Sequence, residues 1–243
     1  MKKFAVFDID GTLIRWQLYH SMVDHLAKRG LLGKDSSDLI KQERMRWKRR
    51  EHERSFDEYE SFLVDQYRAH IKGLNYQEYL KAARVVTREY IEQCYTYTRD
   101  LVKSLKARDY TLLIISGSPE EMIRPLAKHY GFDHFVAAKF AVDSKKRFTG
   151  EIHTPVHDKK SAIEKLVDEN GLSYKDSYAI GDTENDLPIL KMVEHPIAFN
   201  PTKKLFQIAK SKGWKIVVER KNVVYQLSPK NNYYQLDEVD DGI

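Results

Sequence analysis

Apolar residues follow two different rhythms along the chain. In three places a short, nearly unbroken apolar run leads into a turn carrying Gly or Ser: Phe4-Ala-Val-Phe-Asp-Ile-Asp-Gly, Thr111-Leu-Leu-Ile-Ile-Ser-Gly-Ser and Ser177-Tyr-Ala-Ile-Gly-Asp. Runs of this length without polar alternation predict strands buried on both faces, as in a parallel sheet covered by helices. Pro196-Ile-Ala-Phe-Asn-Pro extends the same sheet, and Trp214 to Val218 is expected to add an edge. Phe135 to Ile152 reads as a hairpin across a charged turn.

Helices are signalled between these strands by their ends. Ser118-Pro119-Glu120-Glu121 offers an N-cap serine, a first-turn proline and a capping-box glutamate before Met122, Ile123 and Leu126, and Gly131 is the stop. Asp158 caps a second helix bearing Ile163, Leu166 and Val167, with Gly171 as its left-handed terminator. Strand, turn and capped helix alternate, which is the α/β pattern.

From about Leu18 to Tyr97 the rhythm changes. Leu18, Met22 and Leu26, then Tyr59, Phe62 and Tyr67, then Tyr79, Ala82 and Val86 keep helical spacing, and no strand-like run interrupts them. The expected organisation is therefore a parallel-sheet core over residues 1–16 and 98–230, an all-helical insert over 17–97, and a loose tail over 231–243 ending in acidic residues.

Composition changes this picture little. Of 243 residues, 32% are charged and 42% apolar, an ordinary globular balance, and no run approaches the ~20 apolar residues a membrane helix needs. The N-terminus enters a strand directly and lacks a secretory pattern, and Cys94 is the single cysteine, so a reducing cytoplasm is the expected location. Cys94 has no activating base beside it in sequence and reads as inert. The net charge of +5 is concentrated at Lys41–Arg54, where seven Lys/Arg alternate with three Glu. That mixture describes a solvated helix face rather than a nucleic-acid stripe.

The chemistry sits at strand ends. Asp8 and Asp10 are two apart, so the strand period turns both carboxylates to one side, and two such anions require a proton or a shared cation. Taken alone, the pair is equally a turn-forming motif. A second apolar strand ends at Gly181-Asp182-Thr183-Glu184-Asn185-Asp186, again bringing carboxylates to the end where α/β sheets bind ligands. Asp8, Asp182 and the Asp10 carbonyl form a hard-oxygen set of the kind Mg²⁺ takes, with Asp186 as its support. Ser116-Gly117-Ser118 offers a hydroxyl and a backbone N–H as a phosphate cradle or a plain capping turn. Lys159 or Lys160 is placed to supply a balancing positive charge.

Asp-Ile-Asp-Gly-Thr, a strand ending in Ser-Gly, a lysine, and Gly-Asp-x-x-x-Asp, in that order over nearly the whole chain, resemble the haloacid dehalogenase superfamily. The insert after the first motif resembles the helical cap of its phosphoserine-phosphatase-like branch. The resemblance implies a three-layer Rossmann-like core with that cap as a lid, and a Mg²⁺-dependent phosphatase acting on a small phosphorylated substrate. Asp8 then matches the nucleophile, Asp10 the acid/base, Ser116 the phosphate-binding hydroxyl, Lys159 the lysine with Lys160 as fallback, Asp182 the metal ligand and Asp186 its anchor. Thr12, Gly117, Asn185 and Gln17 complete the implied substrate set. Gln17 departs from the pattern, because that branch carries a glutamate there for a substrate amine. Arg44, Arg46, Arg49 and Arg50 are candidates for a substrate carboxylate. Phosphotransferase or mutase chemistry is the alternative reading; a non-catalytic phosphate-ligand protein and nucleic-acid binding are the weaker ones.

Overall fold

The computed structural model describes residues 2–231 and 233–240. Strands β1 (Lys2–Phe7), β2 (Thr111–Pro119), β3 (His134–Val142), β5 (Leu172–Gly181), β6 (His195–Phe199) and β7 (Lys215–Arg220) pair in parallel in the order β3-β2-β1-β5-β6-β7. β4 (Phe148–His153) closes one side of the sheet antiparallel to β3, forming the expected hairpin. β8 (Val223–Lys230) and β9 (Tyr233–Asp240) extend the other side, also antiparallel.

Alternation along the strands builds two apolar layers. Phe4, Val6, Leu113, Ile115 and Ala179 face α7 (Lys159–Glu169), α8 (Leu187–Leu190) and α9 (Lys203–Lys212), through Ile163, Val167, Ile189 and Leu205. Ala5, Phe7, Leu112 and Ile114 face α5 (Thr96–Ala107) and α6 (Glu120–Tyr130), through Val102, Leu105, Met122 and Leu126. The core is therefore a three-layer α/β sandwich. Each Val, Leu, Ile, Met or Phe among them, fully buried, contributes about 1.5–3 kcal/mol of hydrophobic stabilisation.

Four helices stand between β1 and α5: α1 (Leu18–Lys28), α2 (Ser36–Arg49), α3 (Ser55–Ile71) and α4 (Tyr76–Tyr90). Leu18, Met22, Leu26, Leu63, Tyr67, Tyr79 and Val86 are buried in one cluster continuous with the core layer under α5 and α6. The two chain segments joining insert to core run together. Arg15 N–H donates to Gln93 at 2.8 Å, Tyr95 N–H to Leu13 at 2.9 Å, and Arg15 Nε to the Cys94 carbonyl at 2.7 Å. Lys203 at the start of α9 meets Glu53 of the α2–α3 connection at 3.2 Å.

Three sequence expectations change here. β7 is interior to the sheet, because β8 and β9 lie beyond it. The loose tail expected from residue 231 instead supplies β9 over Tyr233–Asp240, with 241–243 outside the described residues. Tyr234 fixes that strand by donating its hydroxyl to the carbonyls of Ala209 and Trp214 at 3.0 and 2.6 Å. Ser118 does not cap α6; Pro119 holds the N-cap position, and the Ser118 hydroxyl turns into the site.

Candidate active site

β1 lies between β2 and β5, so residues following all three strands meet at one end of the sheet, where open α/β folds bind ligands. Lys159, the first residue of α7, projects there from a helix capped by Asp158, whose carboxylate accepts from Ser161 N–H at 3.0 Å. Lys159 Nζ lies 2.7 Å from Asp8 Oδ1 and 2.7 Å from Asp186 Oδ1, and all three residues are buried. Lys160 points away, 60% exposed and paired with Glu164. Lys159 is thus the lysine that joins the cluster.

Asp8, Asp182 and Asp186 each bring a carboxylate oxygen within 4.8 Å of the others. Asp186 is tied down through its second oxygen, which accepts from the backbone N–H groups of Asp182 and Thr183, both at 3.1 Å. Thr12 donates its hydroxyl to Asp182 at 3.2 Å and is wholly buried, so it holds Asp182 rather than facing a substrate phosphate. Two glycines make the crowding feasible. A Cβ on Gly11, at φ +84°, would collide with the Asp182 carboxylate, and one on Gly181 with Asp186.

Three carboxylates against one ammonium leave an excess of buried negative charge. Burial raises the Asp8 carboxyl against the pull of Lys159, and the charges of Asp186 and Asp10 add to the rise. Burial and the charges of Asp8 and Asp186 likewise raise Asp182. Burial alone would lower Lys159, but Asp186 and Asp8 overcome it and keep the ammonium protonated. A hard-oxygen set too negative for its surroundings, of this size, fits a divalent cation such as Mg²⁺.

Asp10 occupies a separate setting. Its Oδ2 accepts from the hydroxyls of Ser118 at 2.7 Å and Ser116 at 3.1 Å, and its Oδ1 from the Leu18 N–H at 2.6 Å. Burial raises its carboxyl, against the pull of these hydrogen bonds. The two carboxylates differ in their partners, Asp8 meeting an ammonium and Asp10 two hydroxyls and a backbone N–H, while burial raises both. Neighbouring acids in such different settings can take separate nucleophilic and acid/base tasks.

The other sequence candidates surround this centre. The Ser116 hydroxyl, expected to meet phosphate, points at Asp10 and also accepts from Ser118 N–H at 3.0 Å. Gly117 follows Ser116 in β2, Asn185 is exposed in the turn before α8, and Gln17 is the N-cap residue of α1. Sequence reading missed Ser118 as an Asp10 partner, although Ser116 and Ser118 are two apart on one strand and so share a side. It also missed the Leu18 N–H, which no side-chain pattern reveals.

The model of the haloacid dehalogenase-like hydrolase family matches residues 5–191, and the chain belongs to that family. It is 30% identical over 224 residues to a protein named histidinol-phosphatase from Neisseria meningitidis serogroup C (strain 8013), covering 89% of this chain and 99% of that one. It is 25% identical over 201 residues to a phosphoserine phosphatase of Methanocaldococcus jannaschii, covering 82% and 85%. Within the family these relatives mark the chain as a phosphoric monoester hydrolase of the phosphoserine-phosphatase-like branch. The fold agrees with solved structures: a Bordetella pertussis Tohama I protein of unknown function (TM-score 0.69, 24% identity, 89% of this chain and 98% of that one) and a phospho-aspartyl intermediate analogue of phosphoserine phosphatase (0.60, 21%, 90% and 94%). Among the described residues, no helix is long and apolar enough to cross a membrane.

Proposed function

We propose that this chain is a Mg²⁺-dependent phosphatase that hydrolyses a small phosphomonoester through a phosphoaspartate on Asp8. The observation that carries this reading is the shared Lys159 contact of 2.7 Å to both Asp8 and Asp186, beside Asp182. Asp8, Asp182 and the Asp10 carbonyl would hold the ion, which supplies charge neutralisation to a phosphate group.

Lys159 orients Asp8 and offsets its charge, so that its carboxylate oxygen attacks phosphorus as the ester P–O bond breaks. Asp10 gives its proton to the departing alkoxide. It then takes a proton from water as the water oxygen bonds to phosphorus and the Asp8–phosphorus bond breaks, releasing inorganic phosphate. Acid/base help of this kind contributes about 10²–10⁴-fold in rate. Ser116, Gly117 and Asn185 are assigned to phosphate binding, which for Ser116 requires its hydroxyl to turn from Asp10. The helical insert serves as the cap, with Gln17 at its lower edge. The single cysteine supports a cytoplasmic location.

The test is release of inorganic phosphate from a panel of phosphomonoesters, with and without Mg²⁺. Histidinol phosphate and phosphoserine head the panel because relatives are named for them. Asp8→Asn is expected to abolish turnover while remaining folded. Full activity of that variant, or activity indifferent to Mg²⁺ and chelator, would overturn the reading. Transfer of phosphate to an added acceptor in place of release would make the enzyme a phosphotransferase.

A further inference from the structure

Within the helical insert, α1 to α4 border a partly open cavity of about 170 Å³, lined among others by Trp16, Ser21, His25, Arg44, Tyr59 and Tyr90. By general packing volumes it has room for about six waters or one small ring. Its lining reaches back to Trp16, just before α1. Trp16 directly precedes Gln17, and the helix that Gln17 starts donates its Leu18 N–H to Asp10. With a rise of 1.5 Å per residue, Ser21 and His25 stand roughly 4.5 and 10.5 Å further along that helix.

The polar groups of this cavity divide into satisfied and unsatisfied. Asp24 on its wall is paired with Lys28 at 2.6 Å and with Arg44 at 3.3 Å, so these charges answer one another. The Ser21 hydroxyl and His25 Nε2 are buried and have no hydrogen-bond partner among the described residues. Ser21 is only 8% exposed. Burial, followed by Arg29, lowers the His25 imidazole, so it is neutral at neutral pH. Glu89 also lines the cavity, from an exposed position on α4, so the buried groups left without a partner are one hydroxyl and one ring nitrogen. A buried polar group left unpaired costs about 1–3 kcal/mol. Trp16, Tyr59 and Tyr90 add aromatic surface.

The geometry points to a binding site for a small, flat, uncharged ring bearing one N–H donor and one ring-nitrogen acceptor, of the imidazole type, held by Ser21 and His25. The ring is either the far end of the substrate's leaving group, a source that rests on the proposed phosphatase reading, or a free ligand.

The first arm is independent of turnover. Full-length Asp8→Asn protein, in chelator at pH 8, is titrated with imidazole, which is then mostly uncharged, while the His25 ring signals are followed by NMR. A saturable shift is expected, weakened about tenfold by Ser21→Ala. It should weaken about tenfold for N-methylimidazole, which lacks the donor, a change equal to the loss of about 1.4 kcal/mol. Absence of a saturable shift, or equal binding of both compounds, overturns the proposal and leaves the cavity to water.

The second arm identifies the source. A tenfold fall, in Ser21→Ala and in His25→Leu, of the kcat/KM ratio of histidinol phosphate to phosphoserine assigns the ring to the leaving group. An unchanged ratio with imidazole binding retained assigns it to a free ligand. Binding in the first arm without phosphatase activity in the wild type would refute the proposed function alone.

Discussion

Lys159 holds Asp8 at 2.7 Å from a position at the very start of its helix, with its side chain only 4% exposed. A lysine there sacrifices hydration entirely, and the contacts to Asp8 and Asp186 replace it. The residue therefore depends on both carboxyl groups to remain charged where it is buried.

Lys159→Met removes the only ammonium that meets these two carboxyl groups among the described residues, leaving both buried without it. Breaking a buried pair in this way costs about 3–5 kcal/mol. The expected outcome is loss of phosphatase activity together with a large drop in denaturation midpoint, both partly restored by excess Mg²⁺. A variant as stable as the wild type would show that the pair contributes no net stability.

The raised carboxyls make a signed prediction for metal-free protein. Asp8 is pushed up to about 8, chiefly by burial, from an unfolded value near 3.9. Between those values the folded state binds more protons than the unfolded one, so stability is full below about pH 4 and declines as pH rises toward 8. Each excess proton gives a slope of about 1.4 kcal/mol per pH unit. Urea denaturation in chelator across pH 5–8 is expected to show this decline, Asp8→Asn to lessen it, and added Mg²⁺ to oppose it most at the alkaline end. Constant stability across that range contradicts the crowding argument.

The parts of this structure legible in the sequence are those written in local pattern. Phe4–Phe7 and Leu112–Ile115 are apolar at every position because both faces of the sheet are covered. Asp8, Asp182 and Asp186 follow strands whose ends a parallel sheet must bring together. What escaped depends on partners distant in the chain. Ser118 looks like a helix cap until its strand is set beside Asp10, and Thr12 looks like a phosphate ligand until Asp182 arrives from 170 positions away. The acidic run of β9 resembles a solvated tail because its anchor, Tyr234, acts on carbonyls of α9 and the following turn.

Gly11 and Gly181 give a backbone test of the same centre. Gly11→Ala would force a side chain into a left-handed conformation and against Asp182, while Gly181→Ala would press on Asp186. Strain of this kind costs on the order of 1–3 kcal/mol. Both variants should fold with lower midpoints and lose most of the Mg²⁺-induced rise in melting temperature. A wild-type rise in Gly11→Ala would mean that Asp182 is not a ligand.

Glu219 carries the last prediction, because it joins the two segments that lead into the helical insert. Its carboxylate, 1% exposed, pairs with Arg15 on the outgoing segment and accepts from Thr96 and Tyr97 N–H at 3.1 and 3.0 Å on the returning one. Those amides open α5, whose N-cap residue Tyr95 provides no side-chain cap, so a strand 122 positions away completes the helix end. Hydrogen bonds to a charged group are each worth about 1.5–3 kcal/mol. Glu219→Ala is expected to lose several kcal/mol of stability. Glu219→Gln keeps one acceptor oxygen and should lose less, while speeding amide exchange at Arg15, Thr96 and Tyr97 ahead of the sheet. Faster exchange spread evenly over the sheet would show that Glu219 stabilises the fold at large and not the junction with the insert.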